Sequence, residues 1–287
     1  MFYKHIPVLV KESIDFLNPK SGEVFVDCTL GGGGHTEKIK IQNPKLKIIG
    51  IDRDGDALKA AKERLSKYQN IEFVQDNFKS LKQIVHEKVD GILIDLGVSS
   101  YQINEAARGF SFQTDGVLDM RMDQSQKLTA ADIVNNYLEE ELSDIFKRYG
   151  EERFARRIAR AVVKGRGTGD AGRTLFFKEL VEKAIPTWKK RESLARIFQA
   201  LRIEVNHELE NLETALADGI PLLKPKGRMV VISYHSLEDR IVKQAFKQAA
   251  QEGSIKILTK KPVTPSEEEI ASNPRSKSAK LRAAEKI

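Results

Sequence analysis

The stretch Val24-Phe25-Val26-Asp27-Cys28-Thr29-Leu30-Gly31-Gly32-Gly33-Gly34-His35 decides the fold of this chain. Its first three residues are apolar and two are β-branched, the composition of a strand buried on both faces and hence parallel to its neighbours. Four consecutive glycines follow and open into Thr36-Glu37-Lys38-Ile39, a helix start. Without Cβ atoms, such a loop lets a ligand lie directly on backbone. The helix behind it points free N–H groups at whatever lies there. A second apolar run, Ile48-Ile49-Gly50-Ile51, ends in Asp52, about twenty residues beyond the loop, where an acid can grip ribose hydroxyls. The pattern describes a nucleoside cofactor laid over the carboxyl edge of a parallel sheet.

The dinucleotide fingerprint asks for Gly-x-Gly-x-x-Gly or Ala. Counting from Gly31 or Gly32 puts Thr36 or Glu37 at its third position. Acids at Asp27 and Glu37 would also sit badly beside a pyrophosphate. S-adenosylmethionine has no phosphate and carries a cationic sulfonium, so it suits the loop better. The competing reading is a flexible turn between strand and helix, and the flanking strand and Asp52 weigh against it.

At 287 residues the chain has room for one large domain or a domain carrying an insertion. Its 40% hydrophobic and 31% charged content is ordinary for a soluble protein. A net charge of +7 and a pI near 9.2 favour a polyanionic partner. The single cysteine, Cys28, excludes an internal disulfide and a cysteine-based metal site, and suits a reducing cytoplasm. No run has the length of a signal peptide or a bilayer span, so no membrane is expected; no metal is expected either.

Along the chain, residues 57–65 read as a helix with Asp54 or Asp56 as its cap. Residues 71–74 form a third strand closed by Asp76-Asn77-Phe78, and 89–94 a fourth, ending at Asp95-Leu96-Gly97. Strands at this spacing with helices between them give right-handed βαβ units and a parallel sheet. Over residues 101–216 no buried strand is evident. Thr129, with Asp132 three residues on, caps a helix. Its stripe is Ile133, Val134, Tyr137, Leu138, Leu142, Ile145 and Phe146. A basic helix follows over 151–164, another over 174–185 stopped by Pro186, and a long one over 194–216. The sheet resumes at 227–233, a helix runs on to Ala250, and 255–258 and 280–287 can add two closing strands. The expected architecture is α/β: a class I, Rossmann-like methyltransferase with a mostly parallel seven-stranded sheet, its last strand inserted antiparallel, and an inserted all-helical domain. The expected boundaries are 1–103, 104–216 for the helical insertion, and 217–287 with a basic tail.

Asp52, Asp76-Asn77-Phe78 and Asp95 end consecutive strands on one edge, where ligands of such sheets bind. Asp52 would accept from ribose hydroxyls and Phe78 would pack on an adenine face. Asp95 sits where such enzymes present the substrate atom. The lone pair of an exocyclic amine is conjugated into its ring. A carboxylate that holds the N–H groups favours a pyramidal nitrogen and in-line attack. A C5 cytosine methyltransferase would instead need a nucleophilic cysteine, and Cys28 lies on the cofactor loop. Past the fifth strand, Tyr234 could stack on a base and His235 could hydrogen-bond it; capping of the sheet edge by the two is equally compatible with their spacing. The insertion carries Arg153, Arg156, Arg157, Arg160, Lys164 and Arg166, with Phe154, Ile158, Ala161 and Val162 facing inward. The tail adds Arg275, Lys277, Lys280 and Arg282. Two basic clusters flanking a proposed pocket point to phosphate binding.

At these residues the chain resembles the bacterial RsmH (also called MraW) family. Family-like blocks run from His5-Ile6-Pro7-Val8-Leu9 through the glycine loop and Gly50-Ile51-Asp52-Arg53-Asp54 to Ile94-Asp95-Leu96-Gly97-Val98-Ser99-Ser100-Tyr101-Gln102. They continue with Arg108-Gly109-Phe110-Ser111-Phe112, Leu118-Asp119-Met120-Arg121-Met122, Phe198-Gln199-Ala200-Leu201-Arg202-Ile203 and Val205-Asn206. Ser233-Tyr234-His235-Ser236-Leu237-Glu238-Asp239-Arg240 and the tail block, residues 273–282, complete the set. The resemblance implies S-adenosylmethionine-dependent methylation of N4 of a cytidine in the decoding region of 16S ribosomal RNA, within the small ribosomal subunit. It assigns cofactor contacts to Gly33, Gly34, His35, Asp52, Phe78, Asp95 and Gln102, and gives the insertion a part in holding substrate. Gly32 and Lys277 depart from the family's usual residues; Lys277 would lack an arginine's bidentate phosphate geometry.

Asp95, Tyr234 and His235 are thus the expected catalytic residues. Two other readings stay in view: an NAD-dependent oxidoreductase, disfavoured by the failed third glycine, and an RNA-binding assembly factor with a vestigial cofactor site. No motif encodes an oligomeric state, and a homodimer stays open.

Overall fold

The computed structural model describes residues 7–287; His5 and Ile6 of the first family-like block lie outside them. The chain divides into two compact units, one taking the chain up to Gly97 together with Leu209–Ile287, the other Val98–Glu208.

The first unit is a seven-stranded sheet with helices packed against it. Its strands are β1 (Val24–Asp27), β2 (Lys47–Asp52), β3 (Ile71–Gln75), β4 (Val89–Asp95), β5 (Leu223–Ser233), β6 (Ile255–Ile257) and β7 (Lys280–Lys286), in the order β3-β2-β1-β4-β5-β7-β6. β1 to β5 pair in parallel, while β7 enters antiparallel between β5 and β6. This is the class I methyltransferase arrangement expected from the sequence. Successive β1 residues feed opposite faces, Phe25 into one apolar cluster and Val26 into another. Gly91 on β4 makes room for the Phe25 ring, which would lie 2.1 Å from a Cβ there. β1 pairs with β2 on one side and β4 on the other, so the strand order reverses at β1 and opens a crevice at the carboxyl ends. The register Asp27↔Gly50 and Asp27↔Leu93 brings Asp27, Asp52 and Asp95 to that edge.

From Leu209 on, the helix Glu208–Leu222 also belongs to this unit, through Leu212, Ala215, Leu216 and Ile220 in the core under the sheet. The single helix expected over 194–216 is therefore two. Lys190–Asn206 ends where His207 turns left-handed at φ 50°, and the chain restarts at Glu208. The insertion accordingly runs over 98–208 instead of 104–216, since residues 209–216 bury their apolar side with the sheet.

The second unit is helical; among the described residues its only β pairing is the isolated bridge Val117↔Arg173. Phe146, Ile158, Phe177, Ile197 and Leu201 fill its core, and Phe112 meets Phe198 edge to face at 5.2 Å between ring centroids. The Thr129-capped helix is shorter than expected. It spans Ala130–Asn136, and a second helix, Glu139–Arg148, begins after an extended Tyr137 and Leu138. Two local features favour the break. Three acids open the second helix, where the dipole rewards them, and Glu141 accepts from the Leu138 N–H at 2.7 Å. Arg166 donates to the Val134 and Tyr137 carbonyls at 2.7 and 2.5 Å, which removes it from the expected phosphate-binding set. Several family-like blocks serve this scaffold. Asn206 clamps the turn around Met120 (φ 61°), donating to the Met120 carbonyl and accepting from the Met122 N–H. Arg108 is buried and donates to the Arg121 and Met122 carbonyls.

Candidate cofactor and catalytic site

The site grows from the loop between β1 and the helix Gly34–Gln42. Gly31 and Gly33 take φ of 52° and 75°, a region that side chains resist, and a Cβ on Gly33 would stand 2.8 Å from Leu65 Cδ1. The loop is tied to β2 by Asp52, whose carboxylate accepts from the Gly31 N–H at 2.7 Å and from the Asp54 N–H at 2.8 Å. Burial pushes the Asp52 carboxyl up to about 6. Behind the loop, Asp27 is buried and accepts from the Thr36 hydroxyl at 2.7 Å; its carboxyl is also raised by burial to about 6. The first helical N–H groups, of Gly34, His35 and Thr36, have no acceptor within the helix.

Asp95 closes β4. Its backbone N–H donates to Thr29 Oγ1 at 2.6 Å, which fixes the strand end against the glycine loop. Tyr234, just past β5, donates its hydroxyl to Asp95 Oδ1 at 2.9 Å. His35 Nδ1 lies 3.5 Å from Asp95 Oδ2, and the opposite ring nitrogen stands 2.9 Å from the Val8 carbonyl. Burial raises the Asp95 carboxyl to about 7, lowers the His35 imidazole and pushes the Tyr234 phenol well up. A carbonyl only accepts, so His35 carries its proton on Nε2 and turns a lone pair toward Asp95. That lone pair faces, at 3.5 Å, a carboxyl whose pKa burial raises to about 7.

The structure therefore brings Gly33, Gly34, His35, Asp52, Asp95 and Tyr234 together within one unit. Phe78 begins the turn after β3, half-buried, with Asn77 capping that turn through the Lys79 N–H. Gln102 lies in the second unit, in the helix Ser100–Asn104, where it is buried and its Oε1 accepts from the Ser99 N–H at 3.0 Å.

Three expectations need correction. His235 caps the helix Ser236–Gln251: its Nδ1 accepts from the Glu238 N–H, while its buried Nε2 lies 3.2 Å from Glu238 Oε1 without a hydrogen bond, so the cap occupies one ring nitrogen where a base contact was expected. Arg282 is buried on β7 and donates two hydrogen bonds to Asp239, at 2.7 and 3.2 Å, so its charge is spent inside the fold. Glu37, expected to repel a pyrophosphate, pairs with Arg64 and Lys67 at 3.8 and 3.7 Å. The acids that end β1, β2 and β4 at this edge are Asp27, Asp52 and Asp95.

Arg156, Arg157 and Arg160 stand exposed along the helix Ala155–Gly165, with Arg153 exposed just before it; Ala155, Ile158, Ala159 and Val162 are its buried side. Arg160 is 3.3 Å from Glu139. In the tail Arg275 and Lys277 are exposed, and Lys280 is half-buried at 3.9 Å from Asp239. Cys28 is buried, and burial raises its thiol well above the ordinary value, which makes it a poor nucleophile.

Sequence reasoning missed Thr29 and Thr36, the two hydroxyls that fix Asp95 and Asp27. The one local signal was a threonine on either side of the glycines, a residue type that hydrogen-bonds readily at strand and helix ends. It also gave Tyr234 a base to stack on, where the structure gives it Asp95.

The chain is similar to proteins named ribosomal RNA small subunit methyltransferase H. One from Clostridium botulinum (strain 657 / Type Ba4) is 50% identical, with both chains covered over 100% of their length. One from Finegoldia magna is 47% identical, again over 100% of both, and one from Carboxydothermus hydrogenoformans 47% over 100% of this chain and 99% of the relative. Among solved structures, an rRNA-methylase candidate from Clostridium thermocellum superposes with a TM-score of 0.50 at 12% identity, covering 98% of this chain and 99% of its own, a likeness of fold alone. The family model of the MraW methylases matches residues 2–287, and with relatives of half-identical sequence over the full length, the chain belongs to the MraW methylase family.

Proposed function

We propose that this chain transfers a methyl group from S-adenosylmethionine to N4 of a cytidine in the decoding region of small-subunit ribosomal RNA. The observation that carries the reading is Asp95, held at the carboxyl end of β4 by Thr29, Tyr234 and His35 beside a glycine loop. The relatives' names supply the substrate class.

The residues present fit the cofactor. Asp27, Asp52 and Asp95 all hold their protons more tightly than free carboxyls because burial desolvates their charged forms. A cationic ligand relieves that penalty and a pyrophosphate would deepen it. Asp52 has lone pairs left for ribose hydroxyls, Phe78 offers a ring face, and Gly33, Gly34 and the His35 backbone supply a wall without bulk. Bound S-adenosylmethionine supplies an electrophilic methyl group.

The chain's own work is then to prepare the amine. Asp95 as carboxylate accepts from the cytosine N4–H, draws the nitrogen lone pair out of conjugation and fixes its direction. Tyr234 keeps Oδ1 aligned. Once nitrogen has gained the methyl, the surplus proton passes to Asp95 Oδ2, and His35 Nδ1 stands ready to share it. Cys28 takes no part, so no covalent adduct to cytosine is needed. The exposed arginines at 153, 156, 157 and 160, with Arg275 and Lys277, bind rRNA phosphates, and Gln102 of the second unit is a cofactor contact by resemblance. The 98–208 unit is the substrate-recognition domain, and the reaction belongs in the cytoplasm, where small subunits are assembled.

Transfer of labelled methyl from S-adenosylmethionine to small subunits from cells lacking this protein, followed by nucleoside analysis, tests the reading. N4-methylcytidine is expected. Label on carbon, or none despite cofactor binding, contradicts it; the latter result is what a vestigial assembly factor would give.

A further inference from the structure

The chain has one tryptophan, and it is not in a core. Trp188 sits in the turn Thr187–Lys189 of the second unit and is 76% exposed, the highest value among the large apolar side chains described. Tryptophan offers one of the largest apolar surfaces of any residue, and leaving it in water forgoes the stabilisation of burial. Its surroundings are basic: Trp188-Lys189-Lys190-Arg191 has three consecutive cations, and no acid occurs from Ala184 to Arg191. Lys189 Nζ lies 5.0 Å from the indole centroid and 2.8 Å from Glu192, so a tethered cation covers one ring face and the other is left to solvent. Lys190 reaches Glu182 at 3.7 Å, while Arg191 is exposed and pairs with no acid among the described residues. The turn is firmly based. Pro186 opens it, the Lys189 N–H donates to the Pro186 carbonyl at 3.0 Å, and the helix Lys190–Asn206 behind it is anchored through Leu194, Ile197 and Phe198.

An open aromatic face beside an uncommitted guanidinium is the chemistry that holds unpaired nucleotides. The base stacks on the ring and the adjoining phosphate meets the cation. We infer that Trp188 is a stacking site for an unpaired base of single-stranded RNA, with Arg191 as its phosphate contact. This rests on the rRNA reading above, but it assigns a position that neither the glycine loop nor the arginines at 153–160 supply. Stacking here is blind to base identity, so the site positions the RNA and leaves the choice of target atom to Asp95.

The lone indole is its own reporter. The full-length protein is titrated with oligoadenylate of about ten nucleotides, within the ~4–16 nucleotides that single-strand binding modules occupy. Indole emission is followed, and dye-labelled oligoadenylate anisotropy is measured in parallel for wild type, Trp188→Ala, Trp188→Phe and Arg191→Ala. The expected result is quenched emission on saturation, affinity at least about 5-fold weaker in Trp188→Ala, near-wild-type affinity in Trp188→Phe, and a lower salt slope in Arg191→Ala. RNA binding by anisotropy with unchanged emission and full affinity in Trp188→Ala overturns the stacking site and leaves the rRNA reading intact. Emission that shifts with protein concentration alone, with dimer in sedimentation, overturns it in favour of a contact between copies. Absence of RNA binding in every variant, together with absence of methyl transfer to small subunits, removes both.

Discussion

His35 and Asp95 face each other across 3.5 Å, with the far ring nitrogen of His35 held at 2.9 Å by the Val8 carbonyl. The carbonyl fixes the tautomer, the tautomer turns a lone pair to Asp95, and burial lifts the carboxyl to about 7. The acid to which the proposal gives the amine N–H therefore titrates near neutrality. Catalysis through the carboxylate should rise with pH and level off above about 7.

Tyr234 sets the position of that rise. Its hydroxyl hydrogen bond lowers the Asp95 pKa, against burial, which raises it. Tyr234→Phe removes the bond, so the midpoint of the rate profile should move to higher pH. At neutral pH turnover should fall about 10-fold, the equivalent of one hydrogen bond to a charged group. A profile superimposable on wild type would show that the Tyr234 hydroxyl has no part in setting the Asp95 pKa.

Asp52→Ala should weaken S-adenosylmethionine binding about 10- to 100-fold by calorimetry, through lost ribose contacts and a loosened Gly31 tether, with turnover at saturating cofactor little changed. Binding to wild type below about pH 7 should release protons, because a cationic ligand pulls down carboxyls that burial had raised. Calorimetry in buffers of different ionisation enthalpy reads this directly, and a buffer-independent enthalpy would argue against the acidic site.

Stability of the ligand-free protein should run against the usual trend for carboxylates. Asp27, Asp52 and Asp95 have folded pKa values above the unfolded 3.8, so the folded state binds more protons between roughly pH 4 and 7. Their contribution is fully present below the unfolded pKa and is lost as pH rises through 6 to 7. The melting temperature should drop between about pH 5 and pH 8, and the drop should shrink in Asp95→Asn. An equal drop in that variant would place the titration elsewhere.

Phe146→Ala, in the middle of the helical unit's core, should cost about 3–5 kcal/mol in chemical denaturation. Gly33→Ala should cost about 1–3 kcal/mol, since its φ of 75° is strained for alanine and Leu65 stands in the way. A neutral Gly33→Ala would mean that the loop relaxes freely.

The sheet was legible because strands buried on both faces are continuous apolar runs, and each of β1, β2 and β4 ends in an acid that marks the ligand edge. The helix breaks were not. Apolar spacing runs unbroken through Tyr137 and Leu138, and His207 adopts a left-handed turn without the glycine that would announce it. The partners of Asp95 were equally hidden. Thr29 lies 66 positions away and Tyr234 139, so only the strand order brings them together. For His235 the spacing left a base contact and a cap equally open, and the structure shows the cap, made through Nδ1 to the helix that follows.

Single-turnover methyl transfer to small subunits from cells lacking the protein, followed across pH for wild type and Asp95→Asn at saturating cofactor, bears most directly on the central claim. The wild-type rate should climb to a plateau with a midpoint near 7, and Asp95→Asn should be slower by about 100-fold or more with that step gone. A wild-type rate in Asp95→Asn, or a wild-type rate that ignores pH through this range, would contradict Asp95 as the group that prepares the amine.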